Sequence, residues 1–410
     1  MSKPVKPNPA EIWRIGQDVG PEQGTGQPIY RPDLFEIIQS HVDSMEESLK
    51  ALSLDISDHP ELKFEEYRTH DVLTEYMEKQ GFAVKRQYVL PTGWEARFTH
   101  GTGGRTIGVN SEMDALPGVG HACGHNLIAI AGVGVACAIK KVLVEKNIPG
   151  IVILLGTPAE EGGHGKVPML QAGAYKEMAA CLMCHPAPGP PHSGSLSASL
   201  ALRQIEAEYH GRTAHAALSP WEGKNAMDAA VSAYNNISML RQQLKPDNRV
   251  QGMISGRDWA TNVIPDYSKL SAAGIATGCE ADIKETGGCY DLRQNDGLGD
   301  EFANVFRSKY GPIDYIYGIR SASTDFGDVT YALPALHPGF GIPTEVNGGN
   351  HTRAFAAAAR TPEAHRATFN VTKALAAVGI RVLTDDAFVE KINKAFEEDR
   401  IAREKEKESI

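Results

Sequence analysis

The feature that most constrains the fold is a strand–helix–strand unit between residues 105 and 155. Residues 127–146 are rich in glycine and alanine and have helical character, and their small side chains allow close packing on a sheet. Strand-like runs precede and follow them, at 105–109 and 151–155. Alternating strands and helices predict an α/β fold in which the loops at strand ends carry the chemistry.

The order of the remaining elements predicts more than one domain, as does the length of 410 residues. The pattern changes near residue 198, where a half-exposed strand at 202–209 is followed by a strongly helical stretch at 225–244. We therefore predict an N-terminal arm at 1–31, a discontinuous larger domain at 32–197 and 313–410, and an inserted α+β domain at 198–312.

The overall composition excludes several classes of protein. The formal net charge of −10 argues against a broad basic surface for nucleic acid, and we find no run of about 20 apolar residues that would cross a membrane. The N-terminus lacks the apolar core of a secretion signal, and six cysteines in so long a chain do not indicate a disulfide scaffold. We therefore expect a cytoplasmic protein that binds neither nucleic acid nor membrane.

Two further patterns have ordinary structural explanations. Cys181 and Cys184 form a C-x-x-C, but the apolar run around them indicates a buried strand rather than a redox site. The charged tail, 385–410, carries Phe388, Ile392 and Phe396 at helical spacing. A thin apolar stripe of this kind is typical of a solvated surface helix, and a helix that binds a partner is the alternative.

A set of metal-binding side chains lies in loop-like contexts along the chain. Cys123 and His125, one residue apart beside a predicted strand end, can hold a borderline-soft divalent cation. Glu161, His185 and His351 follow in runs rich in glycine or proline. Five protein ligands suit a pair of cations that share a water better than a single tetrahedral site.

The tandem acids Glu160 and Glu161 are predicted to have two different roles. Adjacent residues cannot readily serve one metal together, so Glu161 is predicted as the ligand. Glu160 is then the general base that takes a proton from the shared water and delivers it to the leaving amine. Two exposed acids in a turn are the alternative.

Several long runs of sequence, in the same order along the chain, are shared with a known family. From about residue 32 to 385 it resembles the co-catalytic metallopeptidases of family twenty, which include aminoacylase, glutamate carboxypeptidase and the auxin-conjugate amidohydrolases. It is particularly similar to the branch with β-alanyl-lysine dipeptidase and p-aminobenzoyl-glutamate hydrolase. The matching runs are His59-Pro-Glu-Leu, residues 114–129, Gly156-Thr-Pro-Ala-Glu-Glu-Gly-Gly, His185-Pro, residues 214–230, Asn262-Val-Ile-Pro, Ser323-Thr-Asp-Phe-Gly and Asn350-His-Thr-Arg.

The resemblance implies a metallopeptidase-type α/β catalytic domain with a mixed sheet flanked by helices. It also implies a smaller ferredoxin-like inserted domain that acts as a lid and forms a homodimer. In the catalytic domain, Asp114 would orient a ligand and Glu160 would be the base. His215 would steady the oxyanion in the partner subunit's site, and Asn262 would lie near the substrate's carboxyl or carbonyl group. The implied metal ligands are Cys123, His125, Glu161, His185 and His351.

Three positions depart from the commoner family pattern. Many relatives have His where this chain has Glu112, and a bridging Asp where it has His125. Asn126 replaces the Asp of the usual Cys-Gly-His-Asp. These departures leave the identity of the two divalent ions open between Zn²⁺ and Mn²⁺, and they leave open which ligand bridges them.

A larger departure follows Leu270, where the family's strand end, an arginine and most of a helix are missing. The loss is about 20 residues, or about 30 Å of helix. The inserted domain is therefore predicted to be truncated. The substrate then either lacks a free α-carboxylate or is held by another cation, such as Arg257 or Arg353.

The leading hypothesis is a metal-dependent amidohydrolase or dipeptidase that cleaves the amide bond of a dipeptide or an N-acyl amino acid. The full ligand set together with Glu160 supports it. The truncated insert supports an alternative, a non-hydrolytic metal-binding regulatory or amide-forming biosynthetic protein.

Overall fold

The computed structural model describes residues 28–245, 248–270, 280–315 and 322–408. They fall into two compact units, a smaller one at Leu202–Gly288 and a larger one formed by the chain before and after it. Most of the predicted N-terminal arm, and residues 271–279, where the missing strand end and helix were predicted, lie outside the described residues.

The first part of the larger unit alternates helices and strands. Its elements are α1 (Pro32–Asp58), α2 (Tyr67–Lys79), β1 (Ala83–Arg86), β2 (Trp94–His100), β3 (Thr106–Glu112), α3 (His125–Glu145), β4 (Gly150–Thr157), the short turn α4 (Glu160–Gly163), α5 (Lys166–Gln171), β5 (Ala180–Leu182), β6 (His185–Pro188) and β7 (Gly194–Ser195). The smaller unit follows with β8 (Leu202–His210), α6 (Ala226–Leu240), β9 (Ser255–Gly256), β10 (Tyr267–Lys269) and β11 (Glu280–Cys289). The larger unit then resumes with α7 (Asp296–Lys309), β12 (Ile313–Asp314), α8 (Phe326–Ala332), β13 (Ala335–Leu336), β14 (Gly339–Ile342), α9 (Arg353–Ala358), α10 (Pro362–Thr384) and α11 (Asp386–Glu408).

A six-stranded mixed sheet forms the centre of the larger unit, in the order β1-β2-β4-β3-β5-β13. The last four strands run parallel, and β1 and β2 form an antiparallel edge. All seven residues of β3 are buried, as expected for a strand covered on both faces. Helices α1, α3 and α10 pack together on one side, and α5 and α8 contribute to the core of the other. The mixed α/β architecture predicted from the sequence is confirmed.

Helix α3 packs against the sheet through its small residues. A Cβ on Gly132 would lie 2.2 Å from Ser111 Oγ of β3, so no larger residue fits there. By length and composition α3 is apolar enough to cross a membrane, and 83% of its most apolar window is buried inside the protein. The expectation that no run reaches that length was therefore wrong, because a helix buried between a sheet and two other helices needs the same composition as a membrane span.

A second, four-stranded sheet has the order β12-β7-β14-β6 and carries one of the predicted ligands. Strand β6 begins at His185, which pairs with Gly339 of the parallel strand β14. The loops that follow β3 and β4 and the start of β6 supply the side chains of the candidate site. Clustering of this kind at the carboxyl ends of parallel strands is typical of α/β folds.

The larger unit resumes earlier than the predicted boundary at residue 312. Helix α7 lies in this unit because Phe302 and Phe306 are buried in its main core. Helix α11 packs on α7, where Phe388 and Ile392 are buried and the Asn295 side chain donates to the Ile392 carbonyl oxygen at 2.9 Å. Its apolar stripe therefore covers the chain's own core and is not solvated.

The smaller unit is a four-stranded sheet, in the order β11-β8-β10-β9, with α6 packed beside it. Tyr209 of β8 is buried with alanines of α6 in a core of its own. Ile205 lies on the same side of β8, because residues alternate along a strand, yet 61% of it is exposed. Between α6 and β10, the only strand among the described residues is the two-residue β9.

Candidate metal centre and active site

The turn Cys123-Gly124-His125 brings two donor side chains to the start of α3. Gly124 has a φ of +81°, and a Cβ there would lie 2.5 Å from Pro186 Cγ, so both conformation and space require glycine. Cys123 Sγ lies 3.4 Å from Nε2 of His185 on β6. His185 Nδ1 is 2.8 Å from the Pro186 carbonyl oxygen, to which it donates in the neutral form, leaving Nε2 free to bind a cation.

The Glu160-Glu161 turn is held in place by two buried carboxylates. Ala159 has a φ of +60°, and its N–H donates to Glu66 Oε1 at 2.8 Å. The backbone N–H groups of Glu160 and Glu161 donate to the two oxygens of Asp114, at 3.1 and 2.9 Å. The same Asp114 Oδ1 lies 3.2 Å from Nδ1 of His125. Asp114 thus fixes both acids of the turn and orients the imidazole.

His351 completes the group from an exposed loop. Its backbone N–H donates to the Ala122 carbonyl oxygen at 2.8 Å, which ties this loop to the Cys123 turn. Its Nε2 lies 3.1 Å from Glu161 Oε1, and 57% of its side chain is exposed. Pairing with Glu161 raises the pKa of His351, an effect that burial partly offsets.

The structure brings all five predicted ligands together in two triads. One consists of Cys123, His125 and His185, and the other of Cys123, Glu161 and His351. Within each triad the ligand atoms lie within 4.8 Å of one another. Cys123 belongs to both of these triads, so its side chain could serve either of two cations.

The chemistry of these residues fits a pair of divalent metal ions. Burial raises the pKa of the Cys123 thiol far above its usual range, so a thiolate there needs a neighbouring cation. Among the described residues, the buried atoms His125 Nε2 and Glu161 Oε1 have no hydrogen-bond partner. Buried polar atoms without a partner are costly unless something binds them, and thiolate, imidazole and carboxylate are the usual ligands of zinc and related ions.

Glu160 lies beside these triads and is suited to accept a proton. Its side chain is 9% exposed, and Oε2 lies 3.9 Å from His125 Nε2. Burial, followed by the negative charges of Glu112 and Glu161, raises the pKa of Glu160 well above its ordinary range. A carboxylate with a raised pKa is a more effective base near neutral pH.

A buried ion-pair network next to Glu160 was not predicted. Lys166 is fully buried, donates through Nζ to Glu112 Oε1 at 2.6 Å, and pairs with Asp325. Burial acts to raise the pKa of Glu112, but the charges of Lys166 and His125 outweigh it and lower that pKa to about 2. The sequence around Lys166 is a glycine-rich loop, and nothing in it signals a partner more than 50 residues earlier in β3.

The predicted substrate-contacting residues of the smaller unit are neighbours in an exposed region. The Ala216 N–H donates to the Asn262 carbonyl oxygen at 3.0 Å, and His215 pairs with Val263 in an isolated β-bridge. His215 Nδ1 accepts backbone N–H groups of the next turn, so its neutral form carries the proton on Nε2. The ring can therefore donate to an oxyanion.

The two arginines considered for a substrate carboxylate differ in surroundings. Arg257 stacks over the Tyr267 ring, 4.3 Å from its centroid. Arg353 is the exposed first residue of α9, and it makes no ion pair within the described part of the chain. Arg353 is therefore the freer cation of the two.

Comparisons with known proteins identify the family of this chain. Residues 108–378 match the sequence profile of peptidase family M20/M25/M40. A mouse Xaa-Arg dipeptidase is 36% identical over 417 residues, which cover 92% of this chain and 95% of that protein. The human Xaa-Arg dipeptidase is 36% identical over 407 residues, covering 87% and 90%. One subunit of the p-aminobenzoyl-glutamate hydrolase of Escherichia coli (strain K12) is 31% identical over 242 residues, covering 54% and 49%.

Solved structures share the fold. A dinuclear metal-binding peptidase of the M20 family from Bacillus subtilis has a TM-score of 0.56 at 18% identity, covering 83% of this chain and 99% of that one. The aminobenzoyl-glutamate utilization protein from Klebsiella pneumoniae has a TM-score of 0.62 at 16% identity, covering 84% and 97%. Together with the profile match over more than half of the sequence, these similarities establish the relationship. The chain belongs to peptidase family M20/M25/M40.

Proposed function

We propose that the protein is a two-metal dipeptidase that cleaves the amide bond of dipeptides with a basic C-terminal residue. The observation that carries the proposal is the pair of ligand triads sharing Cys123, with the buried Glu160 beside them. The substrate class is supported by the mouse and human relatives, which are named Xaa-Arg dipeptidases and match most of this chain. N-acyl amino acids are the second class of substrate to test, since other relatives cleave acyl or aroyl amides.

The residues around the centre have separable tasks in such a reaction. The metal pair, when bound, polarises the scissile carbonyl and lowers the pKa of a water. Glu160 takes a proton from the attacking water and returns it to the departing amine, for which its raised pKa is suited. Asp114 holds the Glu160-Glu161 turn and the His125 ring in register through three contacts.

The substrate's own charges need partners on the protein. Arg353 is an exposed cation two residues after the predicted ligand His351, and it is our candidate for the dipeptide's α-carboxylate. His215, with its proton on Nε2, is our candidate for steadying the oxyanion, and Asn262 next to it for the carbonyl or carboxyl group. Arg353→Ala should raise KM for dipeptides with a free carboxylate and leave amidated substrates unaffected.

The metal, oligomeric state and location complete the proposal. We propose Zn²⁺ or Mn²⁺ for the two ions, with the thiolate of Cys123 favouring zinc. We also propose a cytoplasmic homodimer formed through the smaller unit, where Met239 and Leu240 of α6 are 68% and 57% exposed. Light scattering that finds a monomer at working concentration would exclude the dimer, and cell fractionation tests the location.

The decisive experiment combines metal reconstitution with a substrate panel. Metal-free protein is loaded with Zn²⁺ or Mn²⁺ and given Xaa-Arg, Xaa-Lys and Xaa-Glu dipeptides, N-acetyl amino acids and p-aminobenzoyl-glutamate. We expect preferential cleavage of the basic dipeptides. Glu160→Gln should lower the rate by about 10²–10⁴ while both ions stay bound, because it removes only the base.

Each alternative result has a defined meaning. Cleavage of N-acyl substrates alone would retain the amidohydrolase and overturn the basic dipeptide as its substrate. Two bound ions without cleavage of anything would overturn the hydrolase and favour the non-hydrolytic alternative. Full activity in a metal-replete Glu160→Gln variant would show that another group is the base.

A further inference from the structure

Glu112, at the end of β3, has one oxygen engaged and one free. The side chain is fully buried, and Oε1 accepts a hydrogen bond from Lys166 Nζ at 2.6 Å. Among the described residues, Oε2 has no hydrogen-bond partner. A buried carboxylate oxygen without a partner costs free energy, so its placement needs an explanation.

The free oxygen lies close to Nε2 of His125. Glu112 Oε2 and His125 Nε2 are 3.4 Å apart, yet neither atom makes a hydrogen bond within the described chain. The other ring nitrogen, Nδ1, already faces Asp114. The two atoms are therefore near each other without being directed at each other, as expected when both point at a third position.

The predicted ligand pair Glu161 and His351 has the same arrangement, a nitrogen and an oxygen that lie close together without a hydrogen bond. Glu161 Oε1 lies 3.1 Å from His351 Nε2 and is also without a hydrogen-bond partner among the described residues. Two nitrogen or oxygen donors that each lie about 2.1 Å from one tetrahedral ion are about 3.4 Å apart. The separation between Glu112 and His125 matches that of two ligands of one ion.

Lys166 fixes the direction of this carboxylate. Its backbone N–H donates to Asp325 Oδ2 at 2.9 Å, and its Nζ pairs with both Asp325 and Glu112. All three side chains are fully enclosed, so no water competes for these contacts. The pair with Lys166 therefore holds Glu112 with its second oxygen beside His125.

We propose that Glu112 is an additional oxygen ligand of the metal ion bound by His125, and that Lys166 is the positioning residue that holds it. The proposal rests on the two-metal centre and adds a sixth protein donor to it. The ion at His125 then has a carboxylate as well as imidazole donors, which suits Mn²⁺ better than imidazole and thiolate alone. Loss of Glu112 should therefore weaken Mn²⁺ binding more than Zn²⁺ binding.

The test is metal binding by the full-length protein, independent of activity. Metal-free wild type, Glu112→Gln and Lys166→Met are titrated with Mn²⁺, Zn²⁺ and Co²⁺ against a competing chelator, and bound metal per chain is counted. Lys373→Met is the matched control, because Lys373 is also a nearly buried lysine in an ion pair, with Asp43, but contacts none of the predicted ligands. We expect both site variants to bind one ion about 10–100-fold more weakly and the control to bind as wild type.

The Co²⁺ spectrum supplies a second measure, since its visible absorption strengthens as the coordination number falls. Removal of a true ligand in Glu112→Gln should change that spectrum. Wild type with two ions, and Glu112→Gln with unchanged affinities and an unchanged cobalt spectrum, would overturn the proposal. If Lys166→Met fails to fold, Glu112→Gln decides alone. A wild type that binds no metal would refute the two-metal centre itself, a failure distinct from that of Glu112.

Discussion

The two ends of the candidate centre are built differently. The inner end, defined as Glu112, His125, Lys166 and Asp325, is fully enclosed, and its charges are held by one another. The outer end, defined as Glu161 and His351, has one partner on an exposed loop, with His351 at 57% exposure. The inner end is thus fixed by the core of the larger unit, whereas the outer end depends on a loop that solvent reaches.

This contrast separates stability from metal binding. Charges in the inner end interact strongly because little water screens them, and removal of one leaves others buried without a partner. Charges in the outer end are partly solvated, so their pairing contributes little to folding. Loss of a ligand at either end should therefore weaken metal binding. Only loss of a ligand at the inner end should also lower the free energy of unfolding substantially.

The largest expected effect compares His125→Ala with His351→Ala in the metal-free protein. His125→Ala leaves the carboxylates around it without their positive partner and should lower the free energy of unfolding by about 3–5 kcal/mol. His351→Ala should change it by about 0.5 kcal/mol or less. Urea unfolding measures both. His337→Ala is the control for cavity formation, because His337 is equally buried but forms no ion pair in the described part of the chain, whereas His125 lies 3.4 Å from Glu112 Oε2 and 3.2 Å from Asp114 Oδ1. Equal losses for His125 and His351 would contradict the contrast.

A smaller effect is expected from Asp114→Asn, which touches both ends at once. The amide keeps the size of Asp114 but has only one acceptor oxygen for the backbone N–H groups of Glu160 and Glu161. We expect metal affinity or kcat/KM to fall about 10–100-fold. If metal affinity and turnover both stay at the wild-type level, Asp114 does not orient the site.

The smallest effect concerns the pH dependence of the outer end in the metal-free protein. Pairing raises the pKa of His351 above its ordinary value of 6.5, so its contribution is fully present below that pH and is lost as pH rises through the raised pKa. For Glu161, burial opposes the shift but His351 lowers the pKa, so that contribution fades as pH falls below the ordinary Glu range.

Because His351 is exposed, we expect the pair to contribute about 0.5 kcal/mol or less. Urea unfolding of wild type and His351→Gln near pH 6 and pH 8 checks this sign. A difference between the two proteins that grows toward pH 8 would contradict it.

The same contrast shows what could be predicted from the sequence. Cys123, His125 and Glu161 carry strong local signals, because thiols, imidazoles and tandem acids in glycine-rich runs have few structural explanations in combination. The pairing of Lys166 with Glu112 was missed, because a lysine in a glycine-rich loop carries no local signal and only the packing of strand and loop buries the two side chains together.

For the fold too, local patterns were predictable from the sequence and tertiary packing was not. The elements with clear periodicity, such as α3, α6 and β8, lie close to their predicted ranges. The boundary after the smaller unit was misplaced because α7 is amphipathic and would suit either unit, and tertiary packing of Phe302 and Phe306 decides where it belongs. Local patterns specify an element, but they do not specify which core it joins.

Asp114 also limits how this site can change during evolution. One carboxylate contacts the predicted base, a predicted ligand of the outer end and a predicted ligand of the inner end, so its replacement disturbs three partners in a single step. Effects of substitutions at position 114 and at any of those partners should be non-additive, with a double variant little worse than Asp114→Asn alone. Position 114 is therefore expected to tolerate fewer substitutions than a residue with a single partner.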